Sequence, residues 1–173
     1  MAVERTGVVG SRGKSLTLVG PGIKVGDKAP NFKALANDLS EVTLDTDKGK
    51  VRLYLSVASL DTGVCDTETK RFNQEVANFP GDVVVYTVSC DLPFAQKRWC
   101  GVSNVSNLKT VSDHRDVSFG AAYGTLIKET RWLCRAVFLV DKDGVVQYVE
   151  YVPEVGHEPN YDAALKAVKA LAA

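Results

Sequence analysis

Among the side chains here that can act as nucleophiles or redox centres, the four cysteines come first: Cys65, Cys90, Cys100 and Cys134. Four are too few for the disulfide framework of a small secreted scaffold. In a reducing compartment they serve as metal ligands, redox-active thiols or core filler. Zinc-type ligation is not expected, because there is no Cys-x-x-Cys or His-x-x-x-His pair and the two histidines, His114 and His157, stand far apart. Redox chemistry and packing remain. Cys65 is the informative thiol. It ends the segment Ser59-Leu60-Asp61-Thr62-Gly63-Val64-Cys65, between an apolar run and an amphipathic one, so it falls in the first turn of a helix. Unpaired backbone N–H groups and the positive end of the helix dipole favour a thiolate there, and the thiolate is the nucleophilic form. Asp61 or Thr62 can cap this helix, and the Thr62 hydroxyl, three residues before the sulfur, can reach both a thiolate and an incoming oxygen. A small buried cysteine behind ordinary caps accounts for the same residues equally well.

The elements that would position these thiols are legible in the hydrophobic pattern. Val51 to Val57 and Val83 to Ser89 are short, apolar and β-rich, as strands buried on both faces are. Between them Phe72, Val76 and Phe79 recur at helical spacing behind Lys70, Arg71, Gln74 and Glu75, which predicts a helix over 63–78, stopped by Pro80-Gly81. Asp91 is a candidate N-cap for a second helix through Pro93 to about Cys100, with Gly101 at its far end. Further along, Leu108 to Val111 predicts a strand and Ser118 to Tyr123 a short helix closed by Gly124. Ala136 to Val140 and Val145 to Val152 flank Asp143-Gly144 and predict a hairpin. Tyr161, Ala164, Leu165, Val168 and Leu171 form the apolar stripe of a closing helix after Pro159-Asn160. At the other end, Gly7 to Val9 and Ser15 to Val19 predict an N-terminal hairpin that runs into Gly20-Pro21-Gly22. The expected class is α/β: a mixed central sheet flanked by helices, with an N-terminal β-hairpin extension.

The chain has 173 residues, 45% of them hydrophobic, and no repeat or linker, so one domain over 1–173 is expected. Lys plus Arg equals Asp plus Glu at 21 each, which leaves no field of one sign to gather nucleic acid or anionic lipid. Neither a signal-length apolar stretch follows Met1 nor does any run reach the roughly 18 apolar residues of a membrane span. A cytoplasmic protein with no membrane or nucleic-acid partner is the expectation.

Ser59 to Asp66, the run Asp91-Leu92-Pro93-Phe94-Ala95-Gln96-Lys97-Arg98-Trp99-Cys100-Gly101, Cys134 to Phe138, and Glu158 to Tyr161 together resemble the signature blocks of the thiol peroxidase (Tpx) branch of the peroxiredoxins. The similarity runs from about Ser15 nearly to the end of the chain. It implies a thioredoxin-like fold of peroxiredoxin type and an atypical two-cysteine, thioredoxin-dependent peroxidase that works as a homodimer in antioxidant defence. No cofactor or metal is implied. By position, Cys65 is the peroxidatic cysteine, Cys100 the resolving cysteine that closes an intramolecular disulfide, Thr62 the motif hydroxyl and Arg135 the active-site arginine. Where the family motif has proline this chain has Ala58, which bears on how the thiolate is walled from water. Cys90 and Cys134 read as packing residues. Substrates would be hydrogen peroxide and alkyl hydroperoxides, and the reductant thioredoxin or a similar dithiol. The competing readings are a peroxide-responsive sensor or holdase that turns over little, and a thiol-disulfide oxidoreductase, which would need the Cys-x-x-Cys that is missing here.

Overall fold

The computed structural model describes residues 3–172; residues 1, 2 and 173 of the expected single-domain span lie outside them. Two long β-rich runs become adjacent parallel strands, β5 (Val51–Ser56) and β6 (Val83–Ser89), joined by the crossover helix α1 (Gly63–Val76). A second crossover, α2 (Pro93–Ser103), leads to β7 (Lys109–Ser112), parallel to β6. Beyond the short helix α3 (Ser118–Ala122), the hairpin β9 (Ala136–Val140) and β10 (Val146–Tyr151) lies antiparallel beside β5, and α4 (Tyr161–Ala172) closes the chain. The seven-stranded sheet has the order β10-β9-β5-β6-β7-β3-β4, where β3 (Lys33–Leu35) and β4 (Glu41–Thr43) form an antiparallel edge. A separate sheet pairs the N-terminal hairpin, β1 (Glu4–Ser11) and β2 (Lys14–Val19), with the two-residue strand β8 (Leu126–Ile127).

Period-two alternation divides the interior into two cores, one on each face of the large sheet. Val51, Leu53, Leu55, Val83, Val85, Val137 and Leu139 face Phe72 of α1, Trp99 of α2 and Leu165 of α4. Tyr54, Tyr86, Phe138 and Val140 face the other way, toward Leu18 of the hairpin and the stacked rings of Phe119 and Tyr123. Cys65 belongs to the first core and Cys134 to the second, so the sheet separates them.

Two expectations shift, and three short strands are added. Helix α2 does not stop at Cys100; it continues through Gly101 to Ser103 and ends on Asn104 in the left-handed region, an alternative to glycine at that position. Asp91 does not cap it, for Leu92 occupies the N-cap position with no side-chain bond. Strands β3, β4 and β8, of two or three residues each, are too short to carry a period and were not foreseen. Among the described residues no helix is long and apolar enough to cross a membrane.

Candidate active site

Helix α1 begins with Thr62 at its N-cap, in extended conformation and with no side-chain cap bond. Its first-turn amides are therefore left over by helix geometry at the point where Cys65 enters. The loop before it is pinned by Asp91, whose carboxylate accepts from Ser59 Oγ (2.7 Å), Leu60 N (2.8 Å) and Ser89 Oγ (2.7 Å). An aspartate read as a cap for α2 thus holds the entry to α1, an arrangement of charge-assisted bonds stronger than neutral ones. Behind it Gln96 Nε2 donates to Ser89 Oγ (3.0 Å) and to the Val111 carbonyl (2.9 Å), which ties α2 to the ends of β6 and β7.

Cys65 is fully buried, yet not isolated: Arg135 Nη2 donates to its Sγ at 3.4 Å. The guanidinium is itself fixed on every side. Nε donates to the His157 carbonyl (2.7 Å), Nη2 also to the Val155 carbonyl (3.3 Å), and Nη1 pairs with Glu68 Oε2. Arg135 keeps only 3% of its surface exposed, and both Glu68 and Cys65 hold its proton more firmly against the cost of burial. A rigid planar cation beside a sulfur is suited to neutralising an anion there and to gripping an oxygen that develops charge.

A cavity of about 330 Å³ opens over this arrangement, lined by Thr62, Gly63 and Val64 of the Cys65 segment, by Arg135 and by Trp132. Ala58 lines it too. Cys65 is fully buried without a proline at that position, and Val64 and the hairpin tip at Ser11 and Arg12 contribute to the cavity walls. The hairpin tip is held there by backbone bonds from Gly10 N to the Pro153 carbonyl (2.7 Å) and from Val155 N to the Gly10 carbonyl (3.1 Å).

Thr62 stands at the cavity rim, but its hydroxyl donates to the Ser59 carbonyl (3.1 Å) rather than to the sulfur. Cys100 is not brought to Cys65. Its half-buried Sγ lies 3.4 Å from Thr110 Oγ1, beside a different groove, and all four cysteines are free thiols. Cys90 and Cys134 are poor nucleophiles, since burial above all pushes each thiol up to about 12. The residue that sequence reasoning missed is Glu68, fully buried and one turn beyond Cys65 on the same helix face. Its signal was the spacing Cys65, Glu68, Thr69, Phe72, which places a carboxylate on the apolar stripe.

The redoxin family profile matches residues 24–165 of the chain. A thiol peroxidase of Halalkalibacterium halodurans is 58% identical over 159 residues, 92% of this chain and 95% of the relative. One of Bacillus subtilis is 53% identical over 160 residues, with 92% and 95% covered. The crystal structure of a peroxiredoxin-like protein from Aquifex aeolicus superposes with a TM-score of 0.89 at 45% identity, covering 98% of both chains.

Proposed function

The chain belongs to the redoxin family and, like its thiol peroxidase relatives, is a peroxidase that reduces peroxides with thiols; on that premise we propose that Cys65 is the attacking sulfur, Arg135 its electrostatic partner and Cys100 the resolving thiol. The observation that carries the assignment is the Arg135 guanidinium donating to the Cys65 sulfur at the head of a helix.

In the first step the Cys65 sulfur anion attacks the terminal oxygen of ROOH along the O–O axis. An S–O bond forms, the O–O bond breaks, and RO⁻ leaves and takes up a proton to give ROH. Charge grows on the leaving oxygen, so donors already aimed at the site lower the barrier without reorganisation. Arg135 supplies them, and Gly63 and Val64, in the first turn of α1, line the same cavity. Thr62 Oγ1 is at the rim and joins by rotating away from the Ser59 carbonyl. The sulfenic acid on Cys65 is then attacked by the Cys100 thiol; an S–S bond forms and water leaves. An external dithiol, thioredoxin or one like it, restores both thiols by exchange. Resemblance to the family supports that donor, a cytoplasmic site of action and a homodimer.

Steady-state turnover with a thioredoxin, its reductase and NADPH tests the assignment. Cys65→Ser should abolish peroxide consumption; residual turnover would move the nucleophile elsewhere. Cys100→Ser should consume about one equivalent of peroxide and stop, and wild-type multiple turnover in this variant would remove Cys100 from the cycle. A sensor with little turnover would halt near one equivalent in the wild type as well.

A further inference from the structure

The two thiols are anchored on different parts of the sheet. Cys65 is held by Arg135, which immediately precedes β9, and Cys100 by Thr110 in β7, whose hydroxyl lies 3.2 Å from Asn37 Oδ1. In the order β9-β5-β6-β7 those anchors stand three inter-strand spacings apart, about 14 Å. A disulfide needs Cα atoms within about 4.4–6.8 Å, so the two cysteines join only when at least one of their segments leaves its anchor. One tie between the segments lies one residue from each sulfur. Trp99 Nε1, next to Cys100, donates to Asp66 Oδ1, next to Cys65, at 3.1 Å. Lys70 Nζ reinforces the carboxylate at 2.8 Å and lies 6.0 Å from the Trp99 ring centroid. Trp99 is buried in the core beneath α1, whereas Asp66 is half-buried at the surface.

We propose that Asp66 and Trp99 are positioning residues for disulfide formation: their hydrogen bond holds α1 and α2 in the peroxide-reactive arrangement, and breaking it lets oxidised Cys65 meet Cys100. The proposal rests on the pairing of those two cysteines stated above. Once Cys65 carries –SOH, two fates compete. Condensation with the Cys100 thiol forms S–S and releases water, whereas a second ROOH transfers an oxygen, leaving the sulfinic acid and ROH. Condensation requires the opening and the second oxidation does not, so the latch sets the partition between them. Loss of one hydrogen bond to a charged acceptor should favour the open state roughly tenfold.

Trp99→Phe keeps the ring and removes the donor; Asp66→Ala breaks the same bond from the surface side should the core substitution unfold the chain; Asp66→Asn retains an acceptor. Rapid-quench mass spectrometry after peroxide addition reads the first oxidation, the disulfide and the sulfinic acid separately. Expected are a first oxidation within about twofold of wild type, disulfide formation about tenfold faster in Trp99→Phe or Asp66→Ala, and correspondingly less sulfinic acid at excess peroxide, with Asp66→Asn in between. Unchanged disulfide rates in variants whose wild-type parent does link Cys65 to Cys100 would overturn the latch alone. A wild type that never forms that link would overturn the pairing and the latch with it.

Discussion

Glu68 is fully buried against Arg135 with one oxygen, Oε1, that finds no hydrogen-bond partner among the described residues. Burial outweighs the pull of the guanidinium and pushes its carboxyl up from 4.5 to about 7. A carboxyl whose pKa is raised by folding binds more protons in the native state, so its contribution to stability is complete below the unfolded value near 4.5 and is lost as pH rises through about 7. Glu68→Gln removes the titration, so urea unfolding from pH 5 to 8 should show the wild type losing stability relative to the variant as pH rises. Parallel curves would mean that Glu68 stays ionised throughout. Cys65 was legible as a residue because a thiol at a helix start has a physical consequence. Arg135 was not, since a lone arginine before a strand has no signature and only the resemblance pointed to it. Glu68 stayed hidden because charge in an amphipathic helix reads by default as the solvent face.

At the scale of elements, the long strands and helices followed from period and punctuation, and most ends fell within a few residues. The exceptions have causes. Gly101 looked like a stop, yet α2 runs past it because Asn104 takes the left-handed conformation there and donates its backbone N–H to the Cys100 carbonyl. The docking of the N-terminal hairpin was invisible in sequence, being a matter of close backbone approach. After β2, Pro21 passes so near Gly124, at φ +61°, that a Cβ there would overlap the Pro21 carbonyl oxygen. Arg5 seals the contact, with Nη2 donating to the Gly124 carbonyl (2.5 Å) and Nε to that of Gly20 (3.0 Å). Gly124→Ala should therefore destabilise by at least about 2 kcal/mol, through both backbone strain and steric overlap. The check is a lowered urea midpoint at unchanged slope; an unaltered midpoint would show that this turn is free to adjust.

Across the whole molecule, the sheet both gathers and separates. Its strand order sets Arg135 beside the head of α1 and leaves Cys100 on β7's side, so the proposed disulfide closure requires a rearrangement that the proposed peroxide step does not. No sequence pattern carries that separation, because it arises from which strand lies between which. The balanced charge of 21 against 21 fits a protein whose chemistry is local rather than steered by a long-range field. The most direct test is peptide mapping, under non-reducing conditions, of protein treated with one equivalent of hydrogen peroxide. A single linked pair, Cys65 with Cys100, and unmodified Cys90 and Cys134 are the expected products. A link through Cys90 or Cys134, or Cys65 recovered as an unreacted thiol, would contradict the assignment of Cys65 as nucleophile and Cys100 as its resolving partner.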